Sequence, residues 1–376
     1  MKQLLTHSRQ DAFKTCRKRH YFAYELGLRR IDDAKALRMG SAFHEGIESL
    51  GKGLGLVAAC QAVRSKYTRC PVFMNPAEWS YERETVLRLV CAYDWRWASH
   101  PLENVAVELP FELPLVNPST GKRTTLFNLA GKIDGIVKME DGRLAVKESK
   151  LLGDDIGHDS DLWRRLRIDH QISLYMVAAR QLGYPVQTVL YDVTRKPTIA
   201  ATDVPVLDEL GAKIVLNEFG TRVKTERGQW RQTGDKDKGY VLQSRPMTTE
   251  EWGEKLSKDI AARPDYYFAR VEVPRLDQDL DEYQAELWEI QQLIRDAQKN
   301  NRWFRTVNKN TCGFCPYFGI CSGGSSFNGT PPEGFELVSD CHPELERTHV
   351  NRSTAETTAP STATASRPQF AEQSYW

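Results

Sequence analysis

Apolar residues recur along the chain in two rhythms, and the switch between them is the first sign of its organisation. From about Ser8 to Leu50 the period is helical, in two stretches. The first carries Cys16-Arg17-Lys18-Arg19-His20 and then Tyr21, Phe22 and Tyr24. The second, starting near Gly40-Ser41, sets Phe43, Ile47 and Leu50 on one stripe and His44 and Glu48 on another. Residues 55–98 also read as helix and end in Tyr93-Asp94-Trp95-Arg96-Trp97. The pattern then alternates: Ala106 to Leu115 as a strand, a turn at Asn117-Pro118-Ser119-Thr120-Gly121, and an extended run from Thr124 to Val137. Glu140-Asp141-Gly142 turns again, and Arg143 to Lys150 is a third strand. A helix around Asp169 to Gly183 and a strand at Val189 to Thr194 follow. Three meandering strands, a helix and a fourth strand predict an α/β core sheet, over about residues 105–195, flanked by helices.

After Arg195-Lys196-Pro197 the chain reads as helix-rich, with a polar, glycine-containing insertion from Arg227 to Gly239. A short strand at Tyr266 to Val273, a helix from about Gln278 to Lys299 and a group of cysteines close the ordered part. Residues 346–376 are rich in Thr, Ser, Ala and Pro and are expected to be disordered, since they lack the apolar surface that ordering needs. No internal repeat stands out. One domain is expected over residues 1–345.

Composition narrows the class of protein. Forty per cent hydrophobic and 27% charged residues describe a soluble globular chain, and no run of about 18 apolar residues suggests a membrane span. The start, Met1 to Arg9, turns polar before a signal-peptide core forms, so cytoplasmic residence is expected. The net charge of +1 requires any phosphate-binding surface to be local. Eight cysteines are too few for a disulfide framework in 376 residues, and clustered ones in a reducing compartment favour metal binding.

The candidate chemistry lies in Gly131-Lys132-Ile133-Asp134-Gly135 and Val146-Lys147-Glu148-Ser149-Lys150. Side chains alternate faces in a strand, so Glu148 and Lys150 point one way and Lys147 and Ser149 the other. With Asp134 on the neighbouring strand and the same face, the group is an oxygen-rich site for Mg²⁺ or Mn²⁺. Lys150 beside it orients an attacking water. Register decides whether this happens. A two-residue Asp141-Gly142 turn would set Asp134 opposite Ser149, whereas a three-residue Glu140-Asp141-Gly142 turn with Gly142 left-handed pairs Asp134 with Glu148. The second is expected; an irregular strand at Asp134 is the other solution. Taken singly, an Asp and a Glu on paired strands are ordinarily solvated or ion-paired at the surface.

The order of these motifs resembles the RecB-type branch of the PD-(D/E)XK nuclease superfamily, as in phage-type exonucleases, AddB and the CRISPR adaptation nucleases, over roughly residues 8 to 325. Gly40-Ser41-Ala42-Phe43-His44 matches the branch's G-x-x-x-H motif, which implies that His44 adds a metal ligand to Asp134 and Glu148. Asp169-His170-Gln171-Ile172-Ser173-Leu174-Tyr175 is similar to its Q-x-x-x-Y motif, implying DNA and active-site contacts for Gln171 and Tyr175. Arg195-Lys196-Pro197 is similar to the phage-type pattern, and Ile133 stands where the superfamily name has Pro. The resemblance implies a restriction-endonuclease-like core and metal-dependent exonuclease action on DNA in recombination, repair or processing, with DNA strands or duplex ends and a recombination protein as partners. A DNA-holding accessory module that does not cut is the rival reading.

Cys312, Cys315 and Cys321 form a local metal-type spacing that needs a fourth ligand; by spacing alone zinc is the generic ion and Cys341-His342 the local candidate. The resemblance implies instead a [4Fe–4S] cluster closed by Cys16, stapling the chain ends together. Cys60, Cys70 and Cys91 read as bystanders. Basic groups at 17–19, 29–30, 164–167 and 195–196 are candidate phosphate contacts, the third set leading into the Gln171–Tyr175 helix. Trp163 and Tyr266-Tyr267-Phe268 are candidates for stacking on unpaired bases, or for the core.

Overall fold

The computed structural model describes residues 2–31, 34–72, 74–323, 329–342 and 345; the tail expected to be disordered, 346–376, lies outside the described residues. Strand β1 (Gln3–Leu5) leads into helix α1 (His7–Thr15), whose start is capped by the Thr6 side chain accepting from the Arg9 N–H. Helix α2 (Arg17–His20) runs through a wide turn at Tyr21–Glu25 into strand β2 (Leu28–Arg30). Helix α3 (Lys35–Gly51) begins five residues earlier than the apolar stripe indicates, and Arg38 in its first turns makes two hydrogen bonds, 2.7 and 2.8 Å, to Glu82. The expected run at 55–98 is two helices, α4 (Gly55–Lys66) and α5 (Pro76–Trp97), the second opened by an Asn75 cap and Pro76 in its first turn.

Long strands follow: β3 (Glu103–Val116), β4 (Arg123–Lys138) and β5 (Leu144–Leu152). Helices α6 (Asp161–Leu166) and α7 (His170–Gln181) cross over to β6 (Val186–Arg195), which lies parallel to β5 as such a crossover permits. Residues 198–248 correct the sequence reading, which took the stretch after Pro197 as helix-rich. Up to residue 248 it consists of short strands β7 (Asp203–Pro205), β8 (Val215–Leu216), β9 (Val241–Leu242) and β10 (Ser244–Pro246), with further isolated bridges. The cause is a recurring tight turn closed by a left-handed glycine, at Asp208–Gly211, Asn217–Gly220 and Thr225–Gly228. Each returns the chain before a helix can propagate. Then come α8 (Thr249–Ala262), with a Thr248–Glu251 capping box, α9 (Pro264–Tyr267), β11 (Phe268–Pro274) and α10 (Asp277–Asn300). Short helices α11 (Lys309–Gly313) and α12 (Phe318–Ser322) precede β12 (Phe335–Leu337), which pairs antiparallel with β2.

The central sheet has six strands in the order β1-β4-β5-β6-β11, with β3 along β4. It is mixed and lies between helices, the α/β architecture expected from the sequence. One face packs on α7 and α10 through Phe127, Ile133, Val146, Leu174, Tyr191 and Leu287. A second core joins α3, α4, α5 and α8 through Phe43, Val63, Val90 and Leu256, and meets the sheet at Leu151. Strand β4 is shared: β1 takes Phe127–Leu129 and β5 takes Gly135–Lys138, so Asp134 falls at the gap between two partners.

Helix α3 is seated close to α5 and α4 because Gly46 has no side chain; a Cβ there would lie 2.7 Å from a Val90 methyl and 3.1 Å from one of Val63. Gly46→Ala is expected to lower stability by about 1–3 kcal/mol through overpacking, read from a urea-unfolding midpoint.

Candidate metal centre and terminal cysteine cluster

The turn between β4 and β5 sets the register. Gly142 is left-handed (φ 86°), its N–H donates to the Met139 carbonyl, and Met139 in turn donates to Arg143. The loop is therefore three residues, 140–142, as expected, and Gly135 pairs with Lys147. Continued one step, this ladder would set Asp134 opposite Glu148. It stops there instead. Leu109 pairs with Ile133 and Val107 with Gly135, and Glu108 between them is left-handed (φ 52°), a conformation uncommon outside glycine.

Asp134, Glu148 and Lys150 lie around this gap, near enough for the Asp134 charge to act on both of the others. Asp134 lines a narrow cavity with His44, Glu108, Lys147 and Ser149. Its Oδ2 accepts the Ser149 N–H at 2.9 Å and lies 3.5 Å from His44 Nδ1. Glu148 and Lys150 point toward α7, where Lys150 Nζ donates to Glu148 Oε1 (3.0 Å) and to Gln171 Oε1 (2.9 Å). The two sets adjoin at the gap between the strands, close enough for the Asp134 charge to act on Glu148.

One donor atom each from His44, Glu108 and Asp134 lies within 4.8 Å of the others. An imidazole nitrogen with carboxylate oxygens suits a hard or borderline divalent cation. Glu148 fits the same need: it is buried, and its Oε2 has no hydrogen-bond partner. Burial, opposed by Lys150 but reinforced by Asp134, raises its pKa. Burial likewise raises Glu108 to about 7, with Asp134 adding to the effect and Lys132, its ion-pair partner, opposing it. A cation would relieve both groups. Sequence reading missed Glu108; the signal was the β3–β4 turn, whose pairing carries Glu108 across from Asp134.

Around Lys150, burial works against the ammonium, but Glu148 and Asp169 outweigh it and its pKa is raised. Gln171 also donates to the Tyr175 hydroxyl at 3.1 Å, so the two motif residues are linked along α7. Tyr175 is buried edge-on against Phe111, beside Gly131, where a Cβ would lie 2.7 Å from the Phe111 ring. Gly131 thus admits the rings that back the site. Below the cavity is a network the sequence did not announce. Buried Asp192 accepts from Tyr93 Oη at 2.5 Å and Arg270 Nε at 3.1 Å, with Lys147 Nζ at 3.7 Å.

The terminal cysteines come together. Cys16 Sγ accepts the Thr306 N–H at 3.4 Å, Cys312 Sγ is 4.0 Å from the Thr306 carbonyl, and Arg305 Nε donates to Cys321 Sγ at 3.1 Å. Burial raises the Cys315 thiol, and Cys16 and Cys321 act on it in the same direction. Cys341 lies elsewhere, beside Gly27, in a separate groove with Arg9, Tyr24, Glu25 and His342. Among the described residues no three cysteine sulfurs lie within 4.8 Å of one another. Cys60 and Cys91 are 3.7 Å apart between α4 and α5, and Cys70 is half-buried.

Of the candidate stacking groups, Trp163, Tyr267 and Phe268 are core residues, and Trp163 Nε1 donates to the Gly157 carbonyl at 3.0 Å. Tyr266 is sandwiched by Arg195 (4.1 Å) and Arg263 (4.0 Å). Arg164, Arg165 and Arg167 are exposed at the approach to α7.

The family model described as the PD-(D/E)XK nuclease superfamily matches residues 4–322. No curated protein matches the chain significantly. Among solved structures, the one described as "Crystal structure of SSO0001" is 12% identical, covers 78% of this chain and 86% of its own, and has a TM-score of 0.27, too low to define a shared fold. No described helix is long and apolar enough to cross a membrane.

The network under the cavity gives a stability test. Asp192→Ala would leave buried Lys147 and half-buried Arg270 without their carboxylate, and is expected to cost about 3–5 kcal/mol in a denaturant titration.

Proposed function

The chain belongs to the PD-(D/E)XK nuclease superfamily, whose members are metal-dependent nucleases, and from this we propose that it is a DNA exonuclease working in recombination, repair or processing. The observation that carries the reading is the convergence of His44, Glu108 and Asp134 beside the buried Glu148–Lys150 pair. Asp134 and Glu148, with His44, are assigned to hold Mg²⁺ or Mn²⁺; Glu108 joins them. When bound, the divalent ion polarises a phosphoryl oxygen and makes a water nucleophilic at neutral pH. Lys150 orients that water and offsets charge developing on the phosphate. Gln171 holds the Lys150 ammonium in place, and Tyr175 fixes Gln171. The exposed arginines at 164, 165 and 167 are assigned to draw in a DNA backbone, with affinity falling as salt rises.

Cys16, Cys312, Cys315 and Cys321 are assigned to a [4Fe–4S] cluster that staples the chain ends. The contacts of Cys16 and Cys312 with Thr306, and the influence of Cys16 and Cys321 on the Cys315 thiol, support one shared site for the four. Its role is structural: it ties α1 and α2 to the segment after α10. Residues 1–345 then act as one catalytic unit, soluble in the cytoplasm.

End-labelled single and double strands and a closed circle, each incubated with Mn²⁺ or with EDTA, test the activity. Linear DNA should be shortened from its ends only with metal, the circle should survive, and Lys150→Ala should slow cleavage by about 10²–10⁴-fold. DNA binding without metal-dependent cutting would mark an accessory module instead. For the cluster, the purified protein should be brown, with absorption near roughly 400 nm that Cys16→Ala abolishes. A colourless protein holding zinc would overturn that assignment.

A further inference from the structure

Asp169 divides its carboxylate between two tasks. Its Oδ1 caps α7, accepting the Gln171 N–H at 2.9 Å. Its Oδ2 is turned to Lys150 Nζ, 3.6 Å away, and accepts from the Tyr191 hydroxyl at 3.4 Å. Its carbonyl receives buried Arg275 Nη2 at 2.8 Å, so the backbone beneath it is fixed as well.

A helix cap needs no charge, since Asn, Ser or Thr serves as well as Asp. The second oxygen therefore calls for its own account. Lys150 ion-pairs with two carboxylates, Glu148 and Asp169. Glu148 is also the proposed cation ligand, and its hold on the ammonium is then shared. Gln171 supplies direction but no charge. Asp169 is the neighbouring carboxylate that stays with the lysine, and the helix that it caps carries Gln171. One side chain thus sets both the lysine's counter-charge and the position of its amide partner.

We propose that Asp169 is a positioning residue for Lys150, holding the ammonium toward the scissile phosphate while capping the helix that carries Gln171. This rests on the nuclease reading. It belongs to electrostatics and geometry, not to substrate binding, so its removal should act on turnover rather than on affinity.

Asn at this position separates the two tasks, because it keeps a capping oxygen and loses the charge. Full-length wild type, Asp169→Asn and Asp169→Ala are compared for Mn²⁺-dependent cleavage of linear DNA and for thermal unfolding. Asp169→Asn should keep the wild-type Tm and KM while kcat falls by up to about 10²-fold, the cost of a misplaced catalytic group. Asp169→Ala should be slow and also less stable. Two results overturn the inference alone: an Asp169→Asn enzyme as fast as wild type, or one slowed only in step with a Tm loss like that of Asp169→Ala. A wild-type protein that cuts no DNA overturns the nuclease reading, and this inference with it.

Discussion

Beyond Gly135 and Lys147 the strands β4 and β5 stop pairing, and the N–H of Ser149 is received by the carboxylate of Asp134 at 2.9 Å in place of a ladder carbonyl. That one bond holds the gap in a defined shape. Continued pairing would set Asp134 directly opposite Glu148. On the far side of β4 the left-handed Glu108 stands opposite Asp134, between the pairs Val107–Gly135 and Leu109–Ile133. Backbone in a sparsely populated region costs free energy of order 1–3 kcal/mol, and persists where the surrounding sheet holds it.

Gathering acids at this gap creates an electrostatic burden that the molecule meets in two ways. On the α7 side, Glu148 is drawn to Lys150, and Lys150 in turn to Gln171 and Asp169. Beneath the α3 side, buried Lys147 reaches Tyr93 and Asp192, and half-buried Arg270 completes the set. Neither arrangement satisfies Glu148 Oε2. Burying carboxylates so close together favours their protonation unless a cation shares them. The charge arrangement and the family thus agree on a metal-dependent site.

Much of this was legible in the chain. The alternation from 106 to 150 located three strands within a few residues, and the Glu140-Asp141-Gly142 turn fixed their register, because only a left-handed Gly142 makes a three-residue loop there. Motif order singled out His44, which lies 3.5 Å from Asp134, and Gln171 and Tyr175, which are linked to each other and to Lys150. What escaped was non-local. The β4–β5 ladder ends at Gly135 and Lys147, one step short of Asp134 and Glu148, and alternation along each strand carries no sign of that end. Glu108 carried no motif and became visible only through its partner strand. The repeated glycine turns at 211, 220 and 228 were present as Asp-x-x-Gly, Asn-x-x-Gly and Thr-x-x-Gly, yet the short polar segments between them have too little apolar rhythm to show strands.

The most direct measurement is a crystal grown with Mn²⁺ and recorded near the manganese absorption edge. The account predicts one strong anomalous peak in the gap between β4 and β5, ligated by Asp134 and Glu148, with His44 or Glu108 as a further donor. A peak that avoids these side chains, or a gap that remains closed with Asp134 and Glu148 on separate sides of it, would contradict the account.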